Sequence, residues 1–175
     1  MSVETEDHEA GGPFAGYAPP EKRPHLEAYA ALSVLFNAGL AGGVVAAQRA
    51  GHELPERVDG RDVLLTGVAT HKLSRLIAKD KVTAFARAPF TEFQGKGGPG
   101  EVEERARGEG LQRTVGELLT CPFCLGMWIS SAFHLGLLTA PRSTRFVASI
   151  LSGLTISDFL QIAYKAAEQK GLGGS

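Results

Sequence analysis

The chain is short of cysteine and of net charge, and each shortage removes a class of protein. Two cysteines in 175 residues cannot build a disulfide framework. Eighteen Lys and Arg balanced by nineteen Asp and Glu leave a net charge of −1, too little to gather nucleic acid or an acidic substrate. No apolar run occurs in residues 1–25, which are acidic at the front and rich in Gly and Pro. They read as a disordered tail rather than a signal peptide, and the apolar segment that follows starts too deep to be a removable leader. A phosphate loop is also absent: Gly95-Lys-Gly-Gly-Pro-Gly100 lacks the Walker spacing and any preceding strand, and reads as linker. Nothing in the sequence calls for a cofactor.

What is present is segregated. Residues 28–47 and 121–140 are two stretches of twenty residues without a formal charge, and the charges crowd between them. Twenty residues at ~1.5 Å rise match the ~30 Å hydrocarbon core of a bilayer. The fold expected is all-α: an integral membrane protein with four transmembrane helices and a short interfacial helix before the third. The spans are placed at about 26–48, 62–79, 122–140 and 145–165, in one membrane domain over 26–170, with a flexible tail at 171–175. Residues 80–121 form the long loop, in which Leu111, Val115, Leu118 and Leu119 mark the interfacial helix. The bilayer is the first partner implied. Small-residue faces at Gly39 and Gly43, and at Ser149, Gly153 and Ser157, suggest a homo-oligomer or a membrane-protein partner.

The second span is the weakest, because it carries His71, Lys72 and Arg75. A centred Lys or Arg costs a few kcal/mol on insertion scales, so this helix needs shelter from its neighbours or lies on the membrane surface. With the N-terminus inside, eleven Lys and Arg fall on the inner side and five (Arg49, Arg57, Arg61, Arg142, Arg145) on the outer. The positive-inside rule then places both termini and the 80–121 loop in the cytoplasm, around an inner-membrane bundle.

Two constellations could carry chemistry. Cys121 and Cys124 flank Pro122 and Phe123 at the mouth of the third span. Proline suits the first position of a helix, and a thiol in the first turn has its pKa lowered by the helix dipole. The pair is therefore a redox candidate, although no βαβ pattern surrounds it and a cytoplasmic face keeps thiols reduced. As zinc ligands the two supply half a site, and His134 lies ten residues, or about 15 Å, beyond Cys124. A four-cysteine site shared between two copies stays open. So does the plain alternative, in which two buried small residues help the chain turn into the span. Trp128, in the second turn, reads as an interfacial anchor. The other constellation is the intramembrane polar set Asn37, His71, Lys72, Arg75 and Asp158. Ionisable groups at that depth face the bundle interior and pair, so an Asp158–Lys72 or Asp158–Arg75 bond is expected. A polar pocket or proton path around His71 and Asp158 is the functional alternative.

Four blocks in order, Arg75-Leu-Ile, Asp80-Lys-Val-Thr83, Arg87-Ala-Pro-Phe-Thr-Glu92 and Gly116-Glu-Leu-Leu-Thr-Cys-Pro-Phe-Cys-Leu-Gly-Met-Trp128, give the chain a family likeness. Over residues 62–165 it resembles the bacterial family catalogued as domain of unknown function 1360, which includes a sporulation protein. The resemblance implies a small multi-pass membrane protein and supplies no catalytic residues. It also implies that Arg87, Pro89 and Phe90 belong to one recurrent module with Pro122, Trp128 and the two cysteines. The role expected is structural, assembly-related or regulatory, with a membrane thiol oxidoreductase or metal-binding protein as the alternative.

Overall fold

A computed structural model describes Tyr17 and residues 25–172; the expected tail at 1–25 lies outside the described residues, apart from Tyr17 and His25, as does 173–175. Four long helices dominate: α1 (Leu26–Arg49), α2 (Gly60–Ala78), α5 (Pro122–Thr139) and α6 (Pro141–Leu172). Between α2 and α5 lie a short 3-10 turn (Lys81–Thr83), α3 (Ala84–Arg87), strands β1 (Thr91–Lys96) and β2 (Val102–Ala106), and α4 (Gly110–Thr120).

Cross-contacts fix the directions of the helices. Asp62 at the start of α2 binds Arg145, the Leu65 carbonyl accepts from Ser152, the Val68 carbonyl accepts from Thr155, and Lys72 binds Asp158. Both partners advance together, so α2 and α6 run parallel. By the same test α1 runs parallel to α5: Phe36 meets the edge of Trp128 at 5.2 Å, and Gly43 abuts Leu135. Helices α5 and α6 form an antiparallel hairpin through Ala140. One end of the bundle therefore collects the start of α1, the ends of α2 and α6, both strands, α4 and the mouth of α5. The α1–α2 connection and the α5–α6 turn lie at the other end.

Helix α2 sits at the centre, packed on α5 and α6. Small side chains make this possible: Thr66, Ala69, Ser74 and Ala78 are buried on α2, and Ala148, Ser152 and Thr155 on α6. Leu125, Ile129 and Phe133 of α5 close the core, with Leu118 and Leu119 of the amphipathic α4 packed against it.

Three helices, α1, α5 and α6, are long and apolar enough to cross a membrane. Of the four spans expected from the sequence, these three meet the test of length and composition, and the polar residues of α2 keep it below the others. The all-α expectation is also corrected. The 80–121 loop contains an antiparallel hairpin in which Thr91 pairs with Ala106 and Lys96 with Val102, with a bulge between Phe93 and Gly95. The glycine-rich run is its turn and not a linker: Gly100 adopts φ +80°, and Glu101 N–H donates to the Gly98 carbonyl at 2.9 Å. Helix α6 starts at Pro141, earlier than expected, because proline is pre-organised for a first helical turn. Its last turn reaches Leu172, so 171–172 are helical.

Candidate functional site

The buried ionic centre of the molecule is Arg87. Its guanidinium is 1 % exposed, and Nε donates to the Glu104 carboxylate, itself 6 % exposed. Nη1 donates to the Ile77 carbonyl at 2.5 Å and to Thr83 Oγ1 at 2.7 Å, and Nη2 donates to the Asp80 carbonyl at 3.2 Å. Thr83 Oγ1 also donates to the Leu76 carbonyl. Carbonyls at the end of a helix have no partner within it, so Thr83 and Arg87 together cap the C-terminus of α2. A buried charge is tolerated only when paired and hydrogen-bonded, and Arg87 meets both conditions. The rest of its block continues the knot. The Pro89 carbonyl accepts from Arg107 and Gln112, and the Phe90 carbonyl accepts from Arg107 N–H. A Cβ at Gly116 would overlap the Phe90 carbonyl and approach Ala106 Cβ to 2.9 Å, so glycine is what lets α4 lie on the hairpin. The blocks around Arg87 and Gly116 are one packed unit.

Beside this knot the polar set of the sequence assembles in part. Lys72 Nζ donates to Asp158 at 2.8 Å and lies 3.8 Å from Asp80, with 14 % of its side chain exposed. Arg75 binds Glu101 rather than Asp158, and His71 stacks on Phe159 at a centroid distance of 6.4 Å. Asn37 does not join them: on exposed α1 it donates to the Ser33 carbonyl. A cavity of about 590 Å³ opens between the C-terminal halves of α2 and α6 under the hairpin turn. Its wall includes Lys72, Arg75, Asp80, Glu101, Asp158 and Lys165.

Cys121 and Cys124 are joined in a disulfide. Cys121 is the N-cap of α5, its sulfur accepts the Cys124 N–H at 3.2 Å, and Pro122 stands at the first helical position as expected. The expectation of two buried, reduced thiols is corrected, since the pair is bonded, Cys124 is exposed and Phe123 between them is 94 % exposed. Two sulfurs bonded to each other are not thiolate ligands, and the described residues contain no group of three or more His, Cys, Asp or Glu able to hold a metal ion. Trp128 is half-buried against Phe36 of α1.

Sequence reasoning missed Glu101 and Glu104, both read as charges in a loop. The signal for Glu104 was an alternation in which Val102, Glu104 and Ala106 face inward while Glu103 and Arg105 are exposed; Glu101 falls on the other parity and had none. A glutamate at an inward position disguises a strand. The small-residue faces also sort themselves. Gly43 packs, a Cβ there reaching within 2.8 Å of Leu135, whereas Gly39 and Gly153 have open space around them.

The arrangement defines a helical bundle with three helices fit to span a membrane and a charged hairpin lobe at one end. Residues 65–164 match the family described as "Protein of unknown function (DUF1360)", and the chain belongs to that family. The match runs from α2 through the lobe to α6 and leaves α1 outside. A curated relative, sporulation protein YjcA of Bacillus subtilis (strain 168), is 28 % identical over 98 residues, covering 54 % of this chain and 83 % of YjcA. No solved structure matches.

Proposed function

We propose that the chain is a small multi-pass inner-membrane protein in which all four long helices cross the bilayer, with a structural, assembly-related or regulatory role. The observation that carries this reading is the outward face of the bundle. Only 6 % of the apolar window of α1 is buried, and 17 % of those in α5 and α6. Val34 and Leu35 on α1, and Ile156, Phe159, Leu160 and Ile162 on α6, are each about 60 % or more exposed. Burying one such side chain is worth about 1.5–3 kcal/mol, so a contiguous surface of this kind belongs in lipid. Helix α2 follows from α6: the two run side by side, and nineteen residues span about 28 Å. Its charges lie toward its two ends: Asp62 pairs with Arg145 at one, and toward the other Lys72 is paired with Asp158 and Arg75 with Glu101. The hairpin end carries Lys79, Lys81, Arg87, Lys96, Arg105, Arg107, Arg113, Lys165 and Lys170, which supports a cytoplasmic orientation for it.

Cell fractionation tests the reading. The protein should sediment with membranes, resist alkaline carbonate and require detergent for release; recovery in the soluble fraction without detergent contradicts it. Sporulation, which names the relative, is the first process in which to look for a deletion phenotype.

A second reading, thiol–disulfide exchange, is favoured by the disulfide at Cys121 and Cys124, because cytoplasmic disulfides are commonly transient and catalytic or sensing. The sulfur of Cys121 accepts an amide N–H at the N-terminus of α5, a position that stabilises a thiolate on reduction. Acid trapping of thiols in growing cells should find a mixed population whose ratio follows the redox state of the medium. A fixed ratio, with full function in Cys121→Ser plus Cys124→Ser, eliminates the reading.

A further inference from the structure

The cavity between α2, α6 and the hairpin turn has two properties that the ion pairs around it do not use. The first is its balance of charge. Three cations (Lys72, Arg75, Lys165) face three carboxylates (Asp80, Glu101, Asp158). Arg75 is satisfied by Glu101, and Lys72 is shared between Asp158 and Asp80. One carboxylate is therefore left short of a counter-charge, while Lys165 makes no ion pair among the described residues. The second is its position. The parallel pairing of α2 and α6 keeps an offset near that of Lys72 with Asp158, which puts Lys165 level with Lys79 and Asp80, at the end of the bundle. On the bilayer side the same cavity is walled by Phe159 and Ile162, 61 % and 59 % exposed.

We infer that this cavity binds the headgroup of a phospholipid carrying a primary ammonium, with the phosphate on Lys165, the ammonium on Asp80, which has only a distant share of Lys72, and an acyl chain along Phe159 and Ile162. This rests on the membrane reading above. The chemistry selects among lipids. A primary ammonium offers three N–H donors to the Asp80 carboxylate, whose lysine is 3.8 Å away, and a trimethylammonium offers none. A headgroup with net negative charge brings its phosphate to Lys165 but leaves the spare carboxylate without a cation. The phosphate contact at the level of the α2 terminus fits the depth of lipid phosphates in the interface, where basic side chains between helices hold headgroups. Helix α6 supplies both halves of the site, a cation at its interfacial turn and apolar side chains one and two turns deeper.

The test is native mass spectrometry of the full chain released from detergent with equimolar phosphatidylethanolamine, phosphatidylcholine and phosphatidylglycerol of matched acyl chains. The wild type should retain phosphatidylethanolamine several-fold over the other two. Lys165→Ala, at an exposed position, should abolish the preference while leaving the thermal unfolding curve in place, and Asp80→Asn should weaken it. Leu35→Ala, on the far helix, should leave it intact. Equal retention of the three lipids, or a preference that survives Lys165→Ala, overturns the proposal. If soluble glycerophosphoethanolamine is retained and the lipids are not, the occupant is a soluble phosphodiester and the lipid assignment falls. Protein that needs no detergent at all contradicts the membrane reading instead, so the two failures are distinguishable.

Discussion

The bundle and the hairpin lobe solve the problem of packing in opposite ways. In the bundle small side chains make the closest helix contacts and many large apolar ones point outward, so that Ala69 and Ala148 are fully buried while Phe146 and Leu160 are exposed. In the lobe the largest buried side chain is an arginine, and the segment is held by Arg87–Glu104, Lys79–Glu103 and Arg75–Glu101. The bundle leaves much of its apolar surface outward, and the lobe makes a polar interior of its own. Stability should therefore depend on backbone approach in the first region and on charge satisfaction in the second.

The largest effect is expected in the lobe. Arg87→Ala leaves Glu104 buried and unpaired and frees the carbonyls at the end of α2, at a cost of about 3–5 kcal/mol. Thermal unfolding in detergent, read beside hydrogen exchange of β1 and β2, should show the hairpin detached while α5 and α6 stay protected. Next come the glycines that permit close approach. Gly116→Val forces α4 off the Phe90 carbonyl and Ala106 at about 1–3 kcal/mol, and Gly43→Leu, which meets only the Leu135 side chain, costs about 1 kcal/mol. Gly39→Leu, four residues away in open space, should be neutral by the same assay, and equal effects at the two positions would remove the backbone-approach argument. Smaller again is Lys72→Ala. Its partner Asp158 opens onto the polar cavity, where Arg75 and Lys165 remain as cations, so the loss should be about 1 kcal/mol. Smallest is Arg105→Ala, because Arg105–Glu92 is exposed on both sides and should leave the midpoint unchanged.

The same contrast explains what the sequence disclosed. Helices long and apolar enough to cross a membrane advertise themselves by uninterrupted apolar runs, so α1, α5 and α6 were legible, as was the pairing of Asp158 with Lys72 or Arg75. The lobe hid for a physical reason: its interior is built from Arg87, Glu104 and Thr91, residue types that composition assigns to solvent. Its turn uses Gly97 to Gly100, which resemble a flexible linker until Glu101 and Lys81 bond across them. The capping role of Thr83 and Arg87 was invisible for a related cause, since it depends on side chains reaching back to carbonyls seven and ten residues earlier. At Cys121 and Cys124 the position at the helix mouth was legible and the bond between them was not. Spacing permits the disulfide but does not require it.

The central claim is that α2 crosses the bilayer beside α6 and leaves the hairpin in the cytoplasm, and a cysteine-accessibility map tests it most directly. In a Cys121→Ser, Cys124→Ser background, single substitutions Arg57→Cys, Lys96→Cys, Arg142→Cys and Gln169→Cys report the two ends of the bundle. A membrane-impermeant maleimide should label Arg57→Cys and Arg142→Cys in intact cells, and Lys96→Cys and Gln169→Cys only after permeabilisation. Labelling of Arg57→Cys and Lys96→Cys from the same side would mean that α2 does not cross, and the account would be wrong.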